Sequence, residues 1–238
     1  MSKFTTGMIA ELIAIDKTRK GGVGAEVQEL INRLTDGGIA KTDKTAKTVD
    51  IRRKQAKKYW DLGFGRELGI DSFKAYLATI PEIPAPLLDP DERFPLLVLV
   101  DPRLGLAKTC DLVAWIALDT AVSMVLAADV RHETPVAPFW VRAHDGRFNR
   151  DQKPIDCRNA CTGMEFAMTA MVGVCLFINF PKIVSWNLWT IDLPGSVLDG
   201  LAGRVATLKF DEGDKPELSW GWEDRTDMDA GTGTFRRV

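Results

Sequence analysis

The chain has few of the residues that metal binding and nucleophilic catalysis require. Of its 238 residues, only two are histidines, His132 and His144, and four are cysteines. A Ser-His-Asp or Cys-His site must therefore use one of these two histidines. The sequence has no Gly-x-Ser-x-Gly turn and no Gly-x-x-x-x-Gly-Lys-Ser/Thr phosphate loop. These absences argue against the common hydrolase, kinase and P-loop NTPase classes.

Long apolar segments are also lacking. The longest uncharged apolar run, residues 166–181, has 16 residues, and a bilayer span needs roughly 20. Glu11 and Asp16 interrupt the first apolar stretch, which is therefore unlike a secretory signal. The four cysteines are too sparse for a disulfide scaffold. These features predict a cytoplasmic protein with reduced thiols and no membrane partner.

The near-neutral net charge conceals an uneven distribution of charge along the chain. The whole chain has 31 Lys and Arg against 33 Asp and Glu, a net charge of −2. Residues 1–60 hold 13 basic and 7 acidic residues, so they carry +6 and the remaining residues carry −8. Such asymmetry is typical of a basic segment that contacts an acidic partner.

The order of sequence patterns predicts an α+β fold with a helical N-terminal segment. Apolar residues at helical spacing and Gly-Gly stops predict a helical hairpin in residues 8–34, followed by a basic helix over 45–62. Five prolines predict a connector without helix or central strand. The predicted division is a basic helical segment (1–80), a proline-rich connector (81–95) and an α+β main domain (96–238).

The main domain is predicted to contain a buried central strand and a C-terminal hairpin. The run FPLLVLVD, which starts at Phe94, is typical of a strand buried on both faces. The other expected helices are a buried helix over 111–128 and a helix that begins at the Thr162-x-x-Glu165 capping box. The other expected strands are 139–143, 183–191, which ends at Leu193-Pro194-Gly195, and a hairpin of 204–210 and 218–222. The tail from Asp224 is expected to be loose. Strands and helices do not alternate regularly, which favours α+β over a doubly wound sheet.

One candidate for chemistry is a zinc site between residues 132 and 161. This region holds both histidines together with Cys157 and Cys161, and imidazole and thiolate are suitable zinc ligands. On a helix, cysteines at i and i+4 share one face. The three-residue gap differs from the two-residue gap usual in structural zinc sites, so two packed cysteines and two loop histidines are the competing interpretation.

A related hypothesis makes Cys157 or Cys161 a nucleophile. His144 would then be the base, and Asp145 or Asp156 would orient it. A helix N-terminus lowers the pKa of a nearby thiol. No local motif supports this arrangement, and no catalytic residue is assigned.

Two basic regions are candidates for partner binding. Residues 41–58 hold eight Lys and Arg against two acidic residues, and Tyr59 and Trp60 follow them. Such a helix can contact nucleic acid or an acidic protein surface, although a solvated helix face is the alternative. The loop over 142–158 carries further arginines, whose guanidinium groups suit carboxylate or phosphate. The expected contact residues are Arg52, Arg53, Lys54, Lys57, Lys58, Arg142, Arg147 and Arg150.

Four tryptophans near the C-terminus allow two interpretations. Trp186, Trp189, Trp220 and Trp222 fall in predicted strands. They can expose rings on a sheet face for a sugar, a base or a partner, but packing in the core is the favoured interpretation.

The sequence therefore supports two functional hypotheses. The first is a non-catalytic binding or assembly protein whose basic segment or arginine-rich loop contacts an acidic protein or nucleic acid. The second is a metal- or thiol-dependent enzyme centred on residues 132–161, with zinc as the possible cofactor.

Overall fold

The computed structural model describes residues 43–113, 117–118, 124–126, 135–184, 189–210 and 215–238. The helices within these ranges are α1 (Asp43–Asp61), α2 (Phe64–Glu67), α3 (Phe73–Thr79), α4 (Gly105–Leu112), α5 (Pro154–Ala160) and α6 (Ala170–Asn179). Short 3₁₀ turns occupy Ala85–Leu87, Arg147–Asn149 and Pro181–Ile183. The predicted hairpin in residues 8–34 lies outside the described residues.

The described strands form two sheets. The strands are β1 (Leu96–Val100), β2 (Ala117–Leu118), β3 (Met124–Leu126), β4 (Phe139–Ala143), β5 (Glu165–Ala167), β6 (Thr190–Leu198), β7 (Arg204–Phe210), β8 (Pro216–Trp222), β9 (Ala230–Thr232) and β10 (Thr234–Arg236). One sheet has the order β1-β4-β10-β5 and is antiparallel throughout. The other has the order β2-β8-β7-β6-β3, and β9 pairs in parallel with β6. This arrangement confirms the α+β class.

Helix α6 links the two sheets through the core. All ten of its residues are buried, and the helix packs against β1 of one sheet and against β6 and β7 of the other. Gly173 lies where Leu193 of β6 approaches the helix, and a Cβ at this glycine would lie 2.6 Å from the leucine side chain. Burial on all sides explains why the part of the apolar run that forms this helix carries no charge.

Helix α1 covers the edge of β1. The side-chain amide of Gln55 donates to Leu97 O and accepts from Leu99 N, both at 2.7 Å. The hydroxyl of Tyr59 donates to Leu99 O at 2.5 Å. Because an uncovered strand edge leaves backbone groups unpaired, these side chains replace a neighbouring strand. The strand that the sequence predicts as central is therefore buried but lies at the edge of its sheet.

One compact unit of the chain begins at Asp50 and ends at Val238. Tyr59 and Tyr76 belong to the same hydrophobic core as Val98 and Leu99. Residues 50–80 thus pack with the predicted main domain, and the predicted boundary at 81–95 lies inside this unit. The predicted division into a basic helical segment (1–80), a connector (81–95) and a main domain (96–238) stays a prediction.

Several predicted elements differ from the observed ones. The helix expected over 111–128 is α4 followed by the short strands β2 and β3. The helix expected after Thr162 begins later, because the side chain of Thr169 accepts a hydrogen bond from Val172 N and caps α6, while Glu165–Ala167 is a strand. The tail expected to be loose contains β9 and β10, since buried Phe235 anchors it in the core.

The strand expected to stop at Leu193-Pro194-Gly195 instead continues through it. Strand β6 begins at Thr190 and ends at Leu198, with a shift of register between Leu193 and Val197. Proline lacks an N–H for the ladder, and a bulge at this point accommodates that loss. The predicted basic helix, the strand over 139–143 and the hairpin of β7 and β8 are confirmed.

No helix among the described residues is both long enough and apolar enough to cross a membrane.

Candidate functional site

Arg142, the first arginine of the segment 142–158, lies in strand β4 and has a structural role. Arg142 is 7% exposed, and its guanidinium donates to the carbonyl oxygens of Leu87, Phe94 and Pro95 at 2.7–3.3 Å. These bonds attach the proline-rich connector to β4. Burial lowers the pKa of Arg142. Arg142 is thus engaged within the protein, and its predicted contact with a partner stays a prediction.

The next part of the loop projects two arginines around an indole ring. The Cζ atoms of Arg147 and Arg150 lie 4.8 and 5.9 Å from the ring centroid of Trp189. Trp189 Nε1 donates to Asp145 O at 2.7 Å, and the Asp145 carboxylate forms an ion pair with Arg147. Arg150 donates to Met228 O at 3.0 Å. The two guanidinium groups are thus held in place by cation–π and polar contacts.

Exposed apolar side chains lie beside these arginines. Phe148 is 59% exposed and Met228 is 80% exposed. The guanidinium of Arg93 stacks 5.5 Å from the centroid of the Phe148 ring. We define the loop surface as Arg93, Arg147, Phe148, Arg150 and Met228. It combines positive charge with accessible apolar area.

Glycines fix the backbone that carries this surface. Gly146 has a φ of +85°, and a Cβ on it would lie 2.4 Å from Gly231 O. Asn149 Nδ2 donates to Thr232 O at 3.0 Å, and Arg150 forms an isolated β-bridge with Gly231. The loop is therefore anchored along the β9 segment.

His144 belongs to a buried hydrogen-bond relay. Its Nδ1 accepts from Gly146 N at 3.0 Å, so Nε2 carries the proton and donates to Thr234 Oγ1 at 2.9 Å. Thr234 donates to Glu165 Oε1 at 2.8 Å, and Glu165 also accepts from Arg93 at 2.6 Å. Burial lowers the pKa of His144 to about 4. A neutral imidazole with both nitrogens engaged serves to connect β4, β5 and β10.

The cysteines of the predicted site are buried and hydrogen-bonded. Cys157 Sγ donates to Gln152 Oε1, and Cys161 Sγ donates to Cys157 O, both at 3.3 Å. Burial raises the pKa of the Cys157 thiol, which disfavours the reactive thiolate. None of the four cysteines forms a disulfide. This geometry does not favour a nucleophilic role for Cys157.

Only three of the four predicted zinc ligands, His144, Cys157 and Cys161, are among the described residues. His132 lies outside the described residues, so the full set of four ligands stays a prediction. Within the described ranges no group of three or more His, Cys, Asp or Glu side chains is placed to hold a metal ion.

The basic residues of α1 are mostly engaged within the protein. Arg52 donates to Leu77 O and Ile80 O and pairs with Glu82 at 2.8 Å. Lys58 donates to Asn179 O, and burial lowers its pKa. Lys58 is nevertheless exposed, as are Arg53, Lys54 and Lys57. Arg53 stacks on Phe73, Lys54 pairs with Asp50, and Lys57 pairs with Asp61. Arg52 is better explained as the residue that attaches α3 to α1 than as a partner contact.

A further surface lies at the open end of the β7–β8 hairpin. Trp220 and Trp222 are two residues apart on β8, so their side chains share a face, and they are 37% and 40% exposed. Arg204 is paired in register with Trp222, and its guanidinium lies over both rings, 4.2 Å from the centroid of Trp220. Arg225 lies 4.5 Å from the centroid of Trp222. We call these four residues the Trp–Arg ladder.

The chain was compared with protein-family models, curated proteins and solved structures. None of them matches. The function must therefore be argued from the surfaces themselves.

The structure brings together residues that the sequence analysis did not connect. Arg93 and Met228 join the loop surface from distant parts of the chain, and Arg225 joins the ladder. The expectation of core packing is wrong for Trp220 and Trp222, and it is confirmed for Trp189, which is 5% exposed. Trp186 lies outside the described residues. The i, i+2 spacing of Trp220 and Trp222 was the available signal, but it does not tell which face of a hairpin is covered.

Proposed function

We propose that this protein is a non-catalytic binding protein that contacts an acidic partner protein through the loop surface. One observation carries the proposal: Phe148 and Met228 are strongly exposed beside the three arginines of this surface. Aromatic residues, methionine and arginine are the types enriched at the centres of protein interfaces. Exposed apolar side chains framed by charge are a common mark of such a site.

The positive charge of the surface indicates the character of the partner. Arg93, Arg147 and Arg150 present guanidinium groups, which bind carboxylates with paired hydrogen bonds. Asp145 neutralises part of the charge of Arg147 and orients it. An acidic patch with an apolar centre would complement this surface in both charge and polarity.

The fixed conformation of the loop supports binding. Trp189, Asn149 and the Gly146–Gly231 contact hold the loop in place before any partner arrives. Ordering flexible side chains on association costs about 0.5–1.5 kcal/mol each. A preformed surface avoids part of that cost.

The proposal can be tested by affinity capture from the native source with quantitative mass spectrometry. Wild-type protein should enrich a partner with an acidic surface, and Phe148→Ala and Arg147→Glu/Arg150→Glu should each reduce its recovery at least about tenfold, as loss of a central contact does. Lys182→Glu reverses an exposed charge outside the loop surface and should retain the partner. If every enriched protein is retained by both loop variants, the proposed surface is wrong.

A further inference from the structure

The Trp–Arg ladder places the positive charges of two arginines on exposed aromatic rings. Among the described residues, neither Arg204 nor Arg225 forms an ion pair, and Arg204 Nη1 is enclosed with no hydrogen-bond acceptor in reach. Desolvation, and then the positive charge of Arg225, lowers the pKa of Arg204, while Asp224 opposes this effect. Two guanidinium groups on one ring repel each other, and an anion paired with either of them would reduce the repulsion.

The alternation of rings and cations suits a ligand that alternates in the same way. Trp220, Arg204, Trp222 and Arg225 provide indole and guanidinium groups in turn. Nucleic acid bases stack on both indole rings and guanidinium planes, and phosphates pair with arginine. An acidic peptide supplies carboxylates but no regular series of planar rings.

We propose that the Trp–Arg ladder binds single-stranded nucleic acid, with bases stacked on the exposed ring and guanidinium faces and phosphates paired with the two arginines. This proposal uses none of the residues of the loop surface and does not depend on the proposed function. The site lies on an open hairpin face, where Trp220 and Trp222 keep more than a third of their surface exposed. A free nucleotide gains little burial on an open face, whereas a strand adds contacts along its length.

The charge of the chain predicts how this binding depends on salt. Residues 61–238 carry a net charge of −8, which repels phosphates at long range. Within residues 61–238, attraction of phosphates to the ladder therefore comes from its own arginines, and it weakens as salt rises. Each phosphate contact to a single strand contributes about 0.7 to the slope of log K against log salt.

The test uses fluorescence anisotropy of a labelled single-stranded oligonucleotide of about 20 thymidines with the full-length chain. In about 50 mM salt, wild-type protein should bind in the micromolar range. Arg204→Gln/Arg225→Gln should weaken binding at least about tenfold and lower the salt slope by about 1.4. Trp222→Ala should weaken binding about tenfold through lost stacking. Circular dichroism confirms that each variant is folded.

Matched controls separate the ladder from general charge effects. Lys182→Gln removes an exposed charge outside the ladder, and Phe148→Ala removes an exposed ring from the loop surface; neither should change the affinity. If the double variant does not fold, Arg225→Gln alone tests the same contact, because the Arg225 side chain is exposed. It should weaken binding and lower the salt slope by about 0.7.

Four outcomes would overturn the proposal. The first is no anisotropy change up to about 100 µM protein, the weak limit of non-specific binding. The second is equal binding by wild-type protein and the arginine variants. The third is equal competition by poly-glutamate or by duplex DNA, which would indicate charge alone. The fourth is loss of binding in Phe148→Ala, which would move the contact to the loop surface. Partner capture that survives Arg204→Gln/Arg225→Gln would leave the proposed function intact in each case.

Discussion

His144 donates a hydrogen bond from Nε2 to Thr234 Oγ1 at 2.9 Å, across 90 positions of the chain. The Thr234 hydroxyl in turn donates a hydrogen bond to the carboxylate of Glu165. This one hydroxyl therefore connects the end of β4 with β10 and β5. Thr234 is 1% exposed, and water therefore has no access to replace it. Through this relay, strand β10 holds His144 in place, and His144 directly precedes the segment that carries the loop surface.

Thr234→Val should test the strength of this relay. Valine keeps the shape of threonine but leaves the His144 N–H unpaired, and an unpaired buried polar group costs about 1–3 kcal/mol. Urea unfolding should show a decrease of that size in the free energy of unfolding. Thr226→Val, at an exposed position, should change the stability by less than about 0.5 kcal/mol. Equal effects of the two substitutions would contradict the relay.

The buried imidazole of His144 should make folding sensitive to acid. Its pKa is lowered from the ordinary value of 6.5 to about 4, so the unfolded chain binds the proton more tightly. Its contribution to stability is therefore complete above pH 6.5 and is lost as pH falls from 6.5 to 4. The loss is of order 3 kcal/mol. In His144→Gln this dependence should disappear, as measured by the difference in unfolding free energy from wild type across that range.

The ionisation of Asp192 should make the folding stability depend on pH in the opposite direction. Burial raises its pKa from 3.8 to about 6, although a hydrogen bond from Thr207 at 3.0 Å lowers it in part. The folded state prefers the protonated carboxyl. The free energy of unfolding therefore decreases as pH rises from 3.8 to 6 and stays at the lower value above pH 6. Asp192→Asn should remove this loss, of order 3 kcal/mol, and gain stability relative to wild type as pH rises. A constant difference between pH 4 and 7 would contradict the assignment.

The close approach of Gly146 and Gly231 should tolerate no side chain. Gly146→Ala adds a Cβ 2.4 Å from Gly231 O at a positive φ, so the backbone must move. Gly200→Ala is the matched control, because Gly200 has a φ of +75° with no atom within 4 Å of the added carbon. The control should cost about 1–2 kcal/mol from the conformation alone. Thermal unfolding should show a clearly larger loss for Gly146→Ala.

Arg142 should contribute to stability rather than to recognition. Arg142→Met keeps the aliphatic stem but removes the donors to Leu87 O, Phe94 O and Pro95 O, which should cost about 2–4 kcal/mol. Proteolysis of the proline-rich connector should become faster. Arg66→Met, at a side chain that is 78% exposed, should leave both measurements unchanged. A stable variant with a resistant connector would return Arg142 to the candidates for partner binding.

The sequence predicted best where one periodic pattern decided the structure. The basic helix, the apolar strand β1 and the β7–β8 hairpin follow from spacing and turn residues within short segments. It failed where a distant contact decided the outcome. The polar tail after Asp224 becomes two strands because β6 and β4 provide pairing partners, and no local pattern predicts such partners.

The candidate surfaces show the same division. The sequence by itself determined that the segment 142–158 is rich in arginine and that the histidines are few, because composition does not depend on folding. Only the tertiary structure decided that Arg142 is buried under the connector while Arg147 and Arg150 remain at the surface. It also decided that the rings of Trp220 and Trp222 meet the arginines of the ladder. The physical reason is that exposure depends on which distant segments cover a residue, and a short stretch of sequence does not record them.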